Sequence, residues 1–206
     1  MQFSRRKPVL KKLVVSGVAS MMLAVSCAAP AGAYVLIGRV WSSTTNAKSP
    51  YVLASNIPST WTAKLSSSNL KWNLVGNSSL KTSSVIVTSS TSTFINAAFT
   101  IDRQDLVQAY GLDVAGLTSG VYTGSNSARI HLNSGWTWST SFNQANQIAD
   151  LESVVVHELG HAYGLNEALS GTGPFTAAAV ASVMNANYSV KRTPNTDDIS
   201  GIAALY

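Results

Sequence analysis

Two of the three histidines in this 206-residue chain, His157 and His161, stand four positions apart, with Glu158 beside the first and Glu167 six positions beyond the second. On a helix of about 3.6 residues per turn the two imidazoles share one face and are close enough to hold a single ion, for which zinc is the metal that suits the donors. Glu158 then projects beside the ion and not onto it, where a carboxylate serves as general base toward water activated by the metal. Gly164 supplies a break: a glycine in the positive-φ region ends the helix and swings residue 167 back toward the same ion. Two readings stay open on residue types alone. Glu167 is the third ligand, or it is a solvated loop residue and Asn166, Asp197 or Asp198 completes the site.

The elements that must position these groups follow from the flanking pattern. Asp150 can cap a helix whose apolar side is Leu151, Val154, Val155, Leu159 and Ala162. A loop with Gly171, Gly173 and Pro174 comes next, then the small apolar run Ala177 to Ala181, then Ser182-Val183-Met184-Asn185. In the last segment Thr196 can cap a helix with Asp197 and Asp198 in its first turn, at the positive end of the dipole, and with Ile199, Ile202 and Leu205 toward the core.

Upstream, Tyr34 to Trp41 and Pro50 to Ala54 are strand candidates, and Pro58-Ser59 starts a helix on which Trp61, Leu65, Ser68 and Trp72 fall on one face. Such a stripe packs inward, so these tryptophans are expected in the core and not as a stacking platform. Residues 82–101 read as two strands, around Val85-Ile86-Val87 and Phe94 to Phe99, joined by a polar turn. Asp102, Asp105 and Asp113 are the candidate calcium ligands, but no loop shows the closely spaced oxygen donors that calcium needs, and they are expected to be solvated turn and helix residues. Ala128 to Trp138 reads as a strand ending in a turn.

The pattern from His157 to Glu167, His-Glu-x-x-His-x-x-Gly-x-x-Glu, resembles the metzincin zinc endopeptidases, whose third ligand is usually histidine. Ser182-Val183-Met184-Asn185 resembles the methionine turn beneath the metal of that superfamily, and the ending Asp-Asp-Ile-Ser-Gly-Ile-Ala-Ala-Leu-Tyr resembles the last helix of matrixin catalytic domains. The specific resemblance covers residues 128–206. It implies an α+β zincin fold: a twisted mixed sheet, an active-site helix behind it, and a short C-terminal subdomain ending in a helix. It implies one catalytic Zn2+ on His157, His161 and Glu167, Glu158 as general base, Met184 as the structural methionine, and a protein or peptide as substrate. By the same resemblance the 128–138 strand stands where matrixins lay the substrate on an edge strand, and His131 stands where some matrixins bind a second, structural zinc, although no further histidine remains to join it. Ala186 occupies the place of the tyrosine found two residues after the methionine in some metzincins. A snapalysin-like secreted protease also has a carboxylate third ligand, and a secreted binding module that keeps this fold without turnover is the alternative from another class; Glu158 argues against the latter.

The chain opens with Arg5, Arg6, Lys7, Lys11 and Lys12, an apolar run from Leu13 to Val25, and Ala31-Gly32-Ala33, which together read as a secretory signal over residues 1–33 and a catalytic domain over residues 34–206. The apolar run falls short of the roughly 20 residues of a spanning helix, so no stable membrane anchor is expected. Cys27 is a competing lipoprotein acceptor, and as the only cysteine it leaves the exported chain without disulfides. Five of the fourteen basic residues precede residue 34, leaving nine against nine acidic, so the net charge of +5 belongs to the leader and gives no ground for a nucleic-acid partner. A length of this order suits one compact domain, expected to act as a monomer.

Overall fold

The structure, a computed structural model, describes residues 34–37, 41, 48–111, 113–120, 127–168, 176–185 and 189–206. The leader, the loop around Gly171, Ala186 and the middle of the strand expected over 34–41 lie outside the described residues.

A five-stranded mixed sheet is built from β1 (Tyr51–Leu53), β2 (Ile86–Thr88), β3 (Phe99–Gln104), β4 (Gly116–Ser119) and β5 (Ala128–Asn133), in the order β2-β1-β3-β5-β4. All neighbours are parallel except β4, which runs antiparallel to β5. A second small sheet pairs β6 (Thr137–Ser139) with β7 (Ile148–Asp150). Helix α1 (Thr62–Leu70) precedes most of the main sheet, α2 (Thr91–Asn96) and α3 (Val107–Tyr110) are short, α4 (Leu151–Ala162) carries the histidines, and α5 (Ala177–Ala181) and α6 (Thr196–Leu205) belong to the C-terminal part. The α+β architecture is therefore the expected one.

The core lies between the sheet and the α1/α4 pair. Leu65, Trp72, Ile101, Ile130, Leu132, Val155 and Leu159 are buried there. Burying aliphatic and aromatic side chains of this size contributes roughly 1.5–3 kcal/mol each, which is what holds a domain without disulfides together. Trp72 also donates its indole N–H to the Val156 carbonyl at 3.2 Å, so the aromatic that fills the gap between α1 and α4 has no orphaned polar atom. Trp61 is partly buried, edge-on to Trp138 and beneath the Arg103 guanidinium. Of the stripe, Leu65, Ser68 and Trp72 are buried as the spacing implies, while Trp61 only packs against the core.

Three expectations need correction. Residues 82–101 hold a helix as well as two strands: Phe94 and Ile95 lie in α2, capped by Ser90, whose side chain accepts from Thr93 N. The physical reason is direction, because β2 and β3 both run parallel to β1 on either side of it, and a tight polar turn can only join antiparallel neighbours. The strand at Ala128–Asn133 is interior, with Ala128, Ile130 and Leu132 wholly buried between β3 and β4; the edge strand is β4, a four-residue piece that starts at a glycine and is too short to show a period. Finally, the cap of α6 is Asn195 and not Thr196: the Asn195 side chain accepts from Asp197 N and Asp198 N, and the Asp198 carboxylate accepts from Asn195 N, closing a capping box.

Candidate metal centre

Helix α4 begins where Asp150 Oδ1 accepts from Ser153 N at 2.8 Å, and Arg192 donates to the same carboxylate at 2.7 Å. Burial pushes the Asp150 carboxyl up, but Arg192 and Ser153 more than reverse it and hold it below the usual carboxylate range. The cap is thus charged where the helix dipole favours it. Two turns later His157 and His161 lie with ring centroids 4.7 Å apart, near the C-terminal end of the helix.

Each imidazole is oriented by a backbone carbonyl. His157 Nδ1 donates to Val183 O at 2.8 Å, and His161 Nδ1 donates to Leu165 O at 2.9 Å. Fixing the proton on Nδ1 leaves the Nε2 lone pairs to converge, 3.1 Å from one another. Glu167 Oε1 closes the triangle, 3.3 Å from His157 Nε2 and 3.4 Å from His161 Nε2. Among the described residues this is the group of histidines and carboxylates that could hold a metal ion. Gly164, at φ 103°, makes the turn that brings Glu167 round.

Three electron-rich atoms so close together need a cation in their midst. Burial pushes the His157 imidazole down, but the hydrogen bond to Glu167 and the charges of Glu158 and Glu167 more than reverse it, to about 9. Burial likewise pushes the Glu167 carboxyl up, and the two histidines more than reverse it, to about 2. A proton fills the role without a metal.

Glu158 is buried beside the triangle and not on it. Its Oε2 accepts from Thr118 Oγ1 of β4 at 2.7 Å. Beneath the histidines lies Met184, fully buried, and Gly160 explains how it fits: a Cβ on residue 160 would fall on the Met184 sulfur. The turn that carries Met184 is held from α6. Asp198 accepts from Val183 N at 3.1 Å and from the Ser182 hydroxyl, and Met184 N donates to Ser182 Oγ at 2.8 Å. Since the Val183 carbonyl also orients His157, Asp198 is linked to the histidine pair through one turn of chain. Its carboxylate is engaged in the turn, and the Asn166 side-chain oxygen accepts from Glu167 N at 2.9 Å; among the described residues neither Asp197 nor Asp198 joins the group formed by His157, His161 and Glu167.

The outlying candidates sit elsewhere. Asp102 is buried, not solvated, and its Oδ1 accepts from His131 Nδ1 at 2.6 Å, while His131 Nε2 lies 3.1 Å from Ser119 Oγ. Asp105 accepts from Val107 N at 2.9 Å at the start of α3. These aspartates do not converge with Asp113, which lines the cleft. The cleft itself has a volume of about 450 Å³ and runs past the triangle between β4 and the C-terminal part, with Leu117, Phe142, Val154, Val183 and Lys191 among its walls.

Residues 89–206, more than half of the chain, match the family model of matrixin. The chain belongs to the matrixin family. Over 95 residues this matrixin is 34% identical to metalloendoproteinase 4-MMP of Arabidopsis thaliana; the match covers 45% of the chain and 26% of that relative, so the chain spans about a quarter of the length of the curated relative it matches. Residues 34–88 lie outside the family match, although β1, β2 and α1 of the same sheet and core fall there. What sequence reading missed in the matrixin site are the contacts that orient its side chains: the Val183 and Leu165 carbonyls on the histidines, Thr118 on Glu158, and the part Asp198 takes in the turn. Backbone carbonyls have no sequence signal, and Thr118 stands in a strand too short to detect.

Proposed function

We propose that this matrixin is a zinc-dependent endopeptidase in which His157, His161 and Glu167 hold the metal, Glu158 is the general base, and Met184 is the structural methionine of the turn below. The observation that carries the reading is the triangle. Ligands about 2.0–2.1 Å from zinc and tetrahedrally spread stand roughly 3.3–3.4 Å from one another, and the three ligand atoms stand 3.1, 3.3 and 3.4 Å apart. The donor set of two neutral imidazoles and one carboxylate fits zinc, and its fourth side faces the cleft, as a catalytic site requires.

Zinc bound there supplies Lewis-acid polarisation of the scissile carbonyl and lowers the pKa of water. The chain does the rest. Glu158, beside the ligands and buried, takes a proton from the attacking water and delivers it to the nitrogen that leaves as the amine. The edge strand β4 has β5 on one side and the cleft on the other, so an extended peptide can add to it by main-chain hydrogen bonds, with little demand on sequence. A side chain of that peptide then enters the apolar recess formed by Leu117, Phe142, Val154 and Val183.

We further propose that residues 1–33 are a secretory signal and 34–206 the exported domain, on the basic start, apolar run and Ala31-Gly32-Ala33. No helix among the described residues is long and apolar enough to cross a membrane. Metal analysis with a peptide-library digest tests the activity: one zinc per chain and cleavage are expected, and Glu158→Gln should keep the zinc while lowering turnover by about 10²-fold or more. Full activity in Glu158→Gln would move the base elsewhere. N-terminal sequencing of exported protein should begin at Tyr34, and a lipid-modified Cys27 would overturn that assignment.

A further inference from the structure

Thr118 is the hydrogen-bond donor to the Glu158 carboxylate among the described residues, with Oγ1 2.7 Å from Oε2 and 2.9 Å from the carbonyl oxygen of the same residue. A hydroxyl has one proton to give. The ionised carboxylate is the stronger acceptor, so the proton goes there. Gly116, on the same face of β4 two residues earlier, completes the fit from the other side: a Cβ at 116 would come within 2.9 Å of Glu158 Oε1 and 2.6 Å of Val154 Cγ1. One strand therefore provides both the space into which the carboxylate fits and the donor that sets its rotation. A buried glutamate has two torsions beyond Cβ, and the hydrogen bond from Thr118 fixes where they place the carboxylate.

We propose that Thr118 is the positioning residue of Glu158, holding its carboxylate at the angle from which it reaches the proton of the attacking water. This rests on the reading of Glu158 as general base. The test compares Thr118→Val, which keeps the shape and removes the hydroxyl, with Thr118→Ser, which keeps the hydroxyl. With an internally quenched peptide and zinc-loaded protein, T118V is expected to lower kcat by about 10- to 100-fold, the range for losing a hydrogen bond to a charged group, with KM within about twofold and one zinc retained. T118S is expected to keep kcat within about threefold of the parent. In an E158Q background T118V should add almost nothing, because both changes remove one device.

A second readout needs neither zinc nor turnover. The chain has three glutamates, Glu152, Glu158 and Glu167, so isotope-edited infrared spectra of metal-free protein labelled with 13C-glutamate resolve few carboxylate bands, and E158Q assigns the one from Glu158. That band should move in T118V and return in T118S. A band that stays in place in T118V, unchanged kcat in T118V, or T118S as impaired as T118V would each overturn the proposal. Absence of turnover in the parent protein together with a band that moves would instead overturn the endopeptidase reading and leave the contact.

Discussion

The chain puts histidine beside a carboxylate in two places, on the sheet and on the active-site helix, and the two behave differently. On the sheet, His131 gives Nδ1 to Asp102 and turns Nε2 to Ser119, across the β3-β5-β4 neighbours. Both ring nitrogens are spoken for, and among the described residues no further histidine or carboxylate converges there. On α4 the Nδ1 atoms go to backbone carbonyls, and the carboxylate is left to face two Nε2 atoms at once. What separates a polar tie from a candidate metal centre is which nitrogen the neighbouring chain takes. A carboxylate on Nδ1 satisfies one histidine; carbonyls on two Nδ1 atoms create a hole for a cation.

The contrast predicts different outcomes when each pair is broken, and the strongest is at residue 167. Glu167→Ala should weaken zinc binding by more than about 100-fold, read by competition with a chromophoric chelator, because on the proposed reading its carboxylate touches the ion, and the groups that only support such ligands are typically worth 10–100-fold. Glu167→His should still bind zinc, and with a more positive site it should shift the acidic limb of the pH-activity profile to lower pH. Undiminished zinc in Glu167→Ala would end the distinction drawn between the two regions.

Next in size is the support from α6. Asp198→Asn keeps the shape but weakens the acceptor that Ser182 and Val183 share. If the methionine turn orients His157 through Val183, zinc affinity should fall by about tenfold with the fold intact by circular dichroism. An unchanged affinity would show that the turn is rigid without Asp198.

Protons sharpen the comparison. Without metal the His157 imidazole sits at about 9, so near neutral pH it carries a proton that zinc must displace. Apparent affinity should therefore rise by about tenfold per pH unit from neutrality toward pH 9 and then level, with about one proton released, measurable by titration calorimetry in buffers of different ionisation enthalpy. The same shifts act on metal-free stability. A histidine raised from 6.5 contributes stability that is full below 6.5 and lost as pH rises through about 9; Glu167, lowered from 4.5 to about 2, contributes above 4.5 and loses it as pH falls toward 2. Zinc should thus protect most on the alkaline side.

The smallest effect should come from the sheet. His131→Ala leaves Asp102 buried with Gln104 as its remaining partner, and should cost about 1–3 kcal/mol in denaturant unfolding. Zinc stoichiometry should not change. A lost zinc ion would make His131 part of a metal site after all.

Much of the centre was legible beforehand because its logic is local. The four-residue spacing places His157 and His161 on one helical face whatever surrounds them, Gly164 permits the turn, and Asp150 announces the helix start. The tryptophan stripe likewise names its buried side. Direction and order of strands were not legible: the crossover that makes a helix of Thr91–Asn96, and the interior place of Ala128–Asn133, depend on which strands become neighbours.

By itself the sequence determined which groups are available for chemistry and which of them share a helix, because spacing on a regular backbone is a geometric fact. Tertiary structure alone decided what each group is allowed to do. It sent Asp198 to a turn and not to the group of His157, His161 and Glu167, matched Gly160 to Met184, gave Asp102 to His131, and set Thr118 against Glu158 from a strand forty residues away. Those pairings are contacts between distant segments, fixed only when burial of the shared core brings α4, the sheet and α6 together. No local pattern encodes them.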